Sequence, residues 1–426
     1  MKAPGRARSA VTACVAILAG LSLAACGGRG GVIPPQSGLA GQGYGLTSVP
    51  ARRLISIDEL NQWAPMYVTL SSHDVDVASL DAQQAARRTI PFFSGTVKSP
   101  LRDLPYKYRI AGADPRKSAA TTNIPYVAIV LKVHFKGNFG GKKLDFWLDP
   151  TKPACGDSVS VANRFLKGPN FNPARLTSNG ANVGKVQITD GFQRAEFWKI
   201  RKGPGYHTVL KSARGQVVEL VDAPPYSVIS SKPLCGGDGH RVGIVPIAWM
   251  LSTAERLAKK WATTSQVAIF LTYNVFETLD VNSPGLIGGY HLSFGRGAAG
   301  TQVYGVGVYN DKGIFKSPAD ADINTWTHEF GDLLNNPFPL TQDRSNEVPA
   351  WGGVGQVPKG KCQGNLETGD PLTGSSFAVR YNGFTYHPQE LAFFDWFYRT
   401  SSQGTGGKYS FKGTFKKYQG KICVPQ

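Results

Sequence analysis

The sequence predicts an α+β protein in which a β-rich N-terminal lobe packs against a C-terminal lobe of α/β type. Three observations carry this expectation. The chain has 426 residues, 41% hydrophobic and 11% aromatic, enough to bury a large core in one domain or two lobes. Its first half alternates short apolar runs with Gly, Pro and Asn clusters, which is the chemistry of strands and turns. After Cys235 the runs lengthen into helix-like and buried-strand patterns.

Residues 1–26 read as a lipoprotein signal peptide. Lys2, Arg6 and Arg8 precede an apolar run that ends in Leu23-Ala24-Ala25-Cys26. This order of basic, apolar and small residues is an export signal, and the LAAC ending resembles a bacterial lipobox in which Cys26 is diacylated. No later stretch approaches the roughly eighteen apolar residues of a spanning helix. The mature chain is therefore expected to be exported and tethered by lipid to a bacterial membrane, on its periplasmic or cell-surface side. Residues 27–58, rich in Gly, Ser and Pro, read as a flexible linker.

Residues 59–238 form the expected β-rich lobe. PFFSGTV, YKYRIAG, YVAIVLKVHF, KLDFWLD, KVQITD, YHTVL, VVELV and YSVIS read as strands, and RAEFW (194–198) as the start of a short helix. His73, His134 and His207 lie singly among these runs and read as structural. Cys155, Cys235, Cys362 and Cys423 remain after the signal and its Cys26, and none sits in a CxxC pair. An even number in an exported chain implies disulfides. Three pairings are open, and the local ones, Cys155 with Cys235 and Cys362 with Cys423, are expected.

Residues 239–426 form the second lobe. A helix is expected from about Pro246, then a buried strand in QVAIFLTYNVFE and two more in LIGGYHLSFG and TQVYGVGVYN. The helix that follows is read with Ser317 as N-cap, Pro318 at its first position and an end at Pro337. Ile323, Trp326, Phe330, Leu333 and Leu334 make one apolar stripe along it. His328, Glu329 and Asp332, in HEFGD, lie away from that stripe.

Two ligands four residues apart on a helix face one ion, and the residue between them stays free. His328 and Asp332 are the expected metal ligands, and Glu329 the base that takes a proton from metal-bound water. The same three residues would also serve as the polar side of an ordinary amphipathic helix. For a third ligand, Glu367 in NLETGD is the first choice, Asp370 the second and His387 the third. His291, with Tyr290 beside it, is placed in the substrate cleft.

HEFGDLLNNPFP, VPAWG, CQGNLETGDPLTG and YHPQELAFFDWF, with RAEFW, FLTYNVF and IGGYH upstream, resemble a group of exported zincin-like bacterial and fungal proteins. The resemblance covers roughly residues 89–426. It implies a metalloprotease-like fold with an HExxE-type helix and an N-L-E-x-G-D-P loop. This chain has Asp332 where the longer Glu is usual, and replacing Asp332 by His is expected to restore the common ligand set and tighten zinc binding.

The expected function is that of a surface-tethered, metallopeptidase-like lipoprotein, with zinc or another divalent metal as cofactor and a peptide or protein as substrate. The alternative is a non-catalytic surface protein that holds a peptide or glycan on the same fold. The net charge of +18 favours acidic partners. No nucleic acid is expected, since no basic helix, zinc finger or RNP-like strand accompanies the charge.

Overall fold

The strand Thr121–Phe139 organises the protein, because partners pair along both of its sides. The computed structural model describes residues 52–63, 70–279, 281, 285–315, 317, 320–339, 344–417 and 423. Cys26, with the expected signal, lies outside the described residues. A seven-stranded sheet runs in the order Gly289–Gly295, Thr301–Tyr309, Val267–Tyr273, Thr121–Phe139, Lys142–Leu148, with His207–Ser212 and Val217–Asp222 also paired to the long strand. The three central strands are parallel. Gly289–Gly295 is antiparallel to Thr301–Tyr309 at one end of the path. At the other end, Lys142–Leu148 returns antiparallel through Gly140 and Gly141, at φ 53° and 86°, the left-handed pair that a tight hairpin turn demands.

Period-two alternation splits the apolar side chains between the faces of the sheet. Tyr126, Ala128 and Val130 join one core and Val127, Ile129, Leu131 and Val133 the other. Ile269 and Leu271 likewise oppose Ala268 and Phe270. The helix Ile247–Trp261 buries Met250, Leu251, Ala254, Leu257 and Ala258 in the second core. On the first face lie the helix Ile188–Glu196 and the helix Asn324–Asn335, whose stripe of Trp326, Phe330, Leu333 and Leu334 enters that core. Layers on both faces explain why the central strands read as nearly continuous apolar runs. The mixed helix and strand content fits the α+β expectation.

Strands from both sides of the expected 238/239 boundary share this sheet, and each core draws on both segments. A second sheet runs Arg53–Ile55, Val228–Ser230, Gly243–Pro246, Val275–Thr278. Its first strand falls inside the segment expected as linker, and Ser56 caps the short helix Ile57–Leu60 that follows. The linker expectation is therefore corrected for residues 53–58: the backbone of Arg53–Ile55 finds partners along Val228–Ser230.

Three local expectations also need correction. ITD in KVQITD opens the helix Ile188–Glu196 rather than ending a strand, so RAEFW closes that helix. YHPQELAFFDWF carries the short helix Phe394–Tyr398 at its end; read from the sequence, a helix beginning near Pro388 is expected there. The helix expected to start at Ser317 begins at Asn324. Pro318 lies outside the described residues, while Asp322 takes φ 49° and accepts from Ile323 N at 2.6 Å, which sets the helix start there.

The cysteines pair as Cys155–Cys235 and Cys362–Cys423, with Cα separations of 6.0 and 5.6 Å. Each singly placed histidine of the first half is held by a carboxylate: His73 by Glu255 at 2.8 Å, His134 by Asp145 at 2.7 Å and His207 by Asp190 at 2.7 Å. Among the described residues no helix is long and apolar enough to cross a membrane.

Candidate metal centre

The helix Asn324–Asn335 lies close against the sheet because Gly307 faces it. A Cβ at Gly307 would stand 2.7 Å from Trp326 Cε2, closer than carbon atoms tolerate, so the YGVGVY strand admits the indole only as glycine. The opposite side of the helix is covered by the loop 366–372 and by Gln389, which makes it buried on both sides. His328, Glu329, Asp332, Glu367 and Asp370 are between 1% and 9% exposed, and all line one cleft of about 120 Å³.

His328, Asp332 and Asp370 come together. His328 Nε2 lies 3.0 Å from Asp332 Oδ2 and 3.2 Å from Asp370 Oδ1, and the three residues offer donor atoms all within 4.8 Å of one another. Asp332 spends its other oxygen on the loop, accepting from Gly369 N at 2.6 Å and Thr368 Oγ1 at 3.0 Å. Gly369 is required for that approach, since a Cβ there would meet His328 Cγ at 2.5 Å.

Gln389 fixes which imidazole nitrogen is available. Its Nε2 donates to Gly369 O at 2.7 Å, so the Oε1 that faces His328 Nδ1 at 3.2 Å must accept. Nδ1 therefore carries a hydrogen, and in the neutral ring the Nε2 lone pair points at the two aspartates. An outer partner of this kind sets tautomer and ring orientation in metal sites. Gln356 Nε2 holds Asp370 Oδ1 from the other side.

Glu329 and Glu367 occupy the neighbouring part of the cleft. Glu329 Oε1 is 3.9 Å from His328 Nε2, and its Oε2 is 3.8 Å from His291 Nδ1. Gly289 of the edge strand leaves room for this side chain, as a Cβ there would come within 2.8 Å of Glu329 Cγ. His291 Nε2 donates to Asn336 O at 2.8 Å, which turns Nδ1 towards Glu329 and, at 4.0 Å, Glu367. Glu367 accepts from Asn336 Nδ2 at 3.0 Å. It thus stands with His291 rather than in the three-residue cluster, where Asp370 takes the third place.

His387 sits elsewhere. Its Nδ1 binds Asp322 Oδ2 at 2.6 Å and its backbone N donates to Asp322 Oδ1 at 3.0 Å, so it braces the start of the helix. Tyr290 and His291 both line the cleft. Gln389, Gln356 and Gly369 contact the three-residue cluster and were missed by the sequence reading. Their signal was faint: Gln389 stands in YHPQEL, two residues past the histidine that drew notice.

Four carboxylates crowd two imidazoles here, and burial sets the electrostatics. Desolvation raises the pKa of Glu329, of Asp370 and, most strongly, of Glu367 above their ordinary values. For His328 desolvation acts downward, but the charge of Asp332 and hydrogen bonds to Asp332 and Asp370 overcome it and hold the pKa well above normal. His291 follows the same balance: burial lowers its pKa, Glu367 and Glu329 raise it, and the result is about 9. Clustered buried acids of this kind are the environment a divalent cation neutralises. One imidazole nitrogen and two carboxylates are donors that zinc accepts, and the oxygen share also suits manganese or magnesium.

A second group, Cys155, Cys235 and His240, has its donor atoms close together. Its sulfurs are joined in a disulfide and offer no thiolate. No protein-family model matches the chain, and neither a curated protein nor a solved structure matches it.

Proposed function

We propose that the protein is an exported, lipid-anchored hydrolase of metallopeptidase type that uses a divalent metal, with zinc as first choice. The observation that carries this reading is His328 Nε2 at 3.0 and 3.2 Å from two aspartate oxygens, with the Glu329 carboxylate 3.9 Å away. His328, Asp332 and Asp370 would hold the metal, which when bound supplies a water of lowered pKa and polarises a carbonyl. Glu329 accepts the water proton and passes it to the leaving amine. Gln389 and the Gly369 amide keep the histidine and aspartate aimed, and the cover of loop 366–372 limits water. The antiparallel edge strand Gly289–Gly295 beside the helix supports the zincin-like reading of this part of the chain.

The membrane anchor rests on Cys26, and the two disulfides are compatible with export. Cys26→Ser is expected to release the protein from the membrane fraction or stall its processing. Unchanged fractionation and migration would reject the anchor.

The non-catalytic reading, in which the cleft only holds a peptide or glycan, draws on one observation. A protonated His328 satisfies both aspartates without an ion, so the network closes as a structural one. The experiment that separates the two is turnover of a quenched-fluorescent peptide library by the metal-loaded full chain and by Glu329→Gln. The hydrolase reading expects cleavage by the first and a loss of about 10²–10⁴ in the second. No cleavage by wild type would leave the binding protein, and equal rates would remove Glu329 from the role of base.

A further inference from the structure

The net charge of +18, with 47 Lys and Arg in the chain, points to acidic partners. The cleft points the other way. Among the described residues that line it there is no Lys or Arg, while Asp320, Glu329, Asp332, Glu367 and Asp370 all do. In so basic a protein, that segregation leaves the imidazoles of His291 and His328 as the cleft's basic groups among the described lining residues.

Asp320 differs from the other four. It stands ahead of the helix, outside the His328 cluster, with its backbone held by Asn310 Nδ2 on its carbonyl at 2.7 Å and by its own N–H on Ser317 O at 3.1 Å. Its carboxylate is half-buried, and the buried Oδ1 has no hydrogen-bond partner. Desolvation raises its pKa, and among the described residues no cation opposes it. Leu286, Ile287 and Phe315 line the same cleft, an apolar wall suited to the methylene stem of a long basic side chain. Deeper in, Gln363 is 4% exposed, lines the cleft, and its Oε1 also lacks a donor. The partly exposed carboxylate of Asp320 would be answered by a ligand rich in N–H groups.

We propose that the cleft selects substrates carrying an ammonium or guanidinium group, of the kind a lysine or arginine side chain presents, and that Asp320 is its counter-ion. This rests on the reading of the cleft as a substrate site. The preference is local: the protein's overall positive field opposes a cationic ligand at long range, and salt screens that opposition within about 10 Å at 0.1 M.

The test is equilibrium binding of fluorescent hexapeptides to the full chain in detergent, with EDTA present so that no turnover occurs. The peptides differ at one position, which holds lysine, arginine, norleucine, citrulline or glutamate. Lysine and arginine peptides are expected to bind about tenfold or more tightly than norleucine and citrulline peptides, the scale of one charge-assisted hydrogen bond. Asp320→Asn, nearly isosteric, should erase that ratio while leaving the neutral peptides as they were, and Asp320→Lys should turn the preference towards glutamate. Equal binding of charged and neutral peptides by wild type, no binding of any, or an unchanged ratio in Asp320→Asn would overturn the proposal. Binding is read apart from cleavage, so a protein that prefers lysine peptides yet cleaves none once zinc is added keeps this inference and loses the hydrolase reading.

Discussion

Asp332 divides its two oxygens between the helix and the loop: Oδ2 meets His328 Nε2 at 3.0 Å while Oδ1 accepts the Gly369 amide at 2.6 Å. One carboxylate thus aims a ligand and latches the loop that carries Asp370. The motif alone suggested that Asp332→His would tighten zinc binding. In the folded protein a histidine there would strand the Gly369 N–H and the Thr368 hydroxyl and crowd a position that is 1% exposed. The expected outcome is a loss of about 2–4 kcal/mol, from unmet buried donors and overpacking together, read by urea denaturation. Stability and metal affinity that both rise would show that the loop latch is dispensable.

Asp370 and Glu367, three residues apart in one loop, are separable by mutation. Asp370→Asn removes a donor from the His328 cluster and is expected to weaken metal binding by about 100-fold or more. Glu367→Gln keeps its acceptor for Asn336 and should change metal affinity by less than about tenfold, an outer-shell effect at most. Competition titration with a chelating dye measures both, and the reverse order of effects would return Glu367 to the ligand set.

The stability of the chelated protein should fall as pH rises from about 6.5 to about 9. His291 has its folded pKa raised from 6.5 to about 9, so its stabilisation is complete below the unfolded value and lost as pH climbs through the folded one. The raised carboxyls of Glu329 and Glu367 act with the same sign, because the folded protein keeps protons that the unfolded chain releases. Melting curves across that range, with EDTA and then with zinc, are expected to show a declining Tm that metal restores. His291→Gln should flatten the decline, and a Tm that rises with pH would contradict the charge balance described for the cleft.

Much of this arrangement was legible in the sequence. The apolar stripe of the helix could be read because burial on the sheet demands a period of 3.6, and the strands could be read from their period of two. The even cysteine count implied disulfides but left three pairings open, of which the expected local one is present. His328 and Asp332 share a helix, so their juxtaposition needs no tertiary information. What could not be read depends on distant segments. Parallel pairing of Val267–Tyr273 with Thr121–Phe139 joins residues far apart in the chain, and nothing local encodes it. The choice of Asp370 over Glu367 turns on how one loop closes over His328 at Gly369. The start of the helix was misplaced because Ser317 and Pro318 carry the usual capping chemistry, whereas Asp322 and His387, from separate segments, decide it.

The disulfide Cys362–Cys423 ties the chain end to the segment that leads into the Glu367 and Asp370 loop, across a sequence separation of 61. Cys423→Ser with Cys362→Ser is expected to cost about 2–5 kcal/mol and to weaken metal binding along with stability, measured by thermal melts and metal titration on the same samples. Unchanged metal affinity in a destabilised double variant would confine the disulfide to a role in the fold.

The central claim is that His328, Asp332 and Asp370 hold one divalent ion. Calorimetric titration of the purified, EDTA-treated full chain with zinc, and separately with manganese, tests it directly when paired with His328→Ala. The account predicts one equivalent bound by wild type and none by the variant, which retains too few donors to hold the ion. A wild-type protein that binds neither metal, or a His328→Ala variant that binds the same single equivalent with the same affinity, would contradict it.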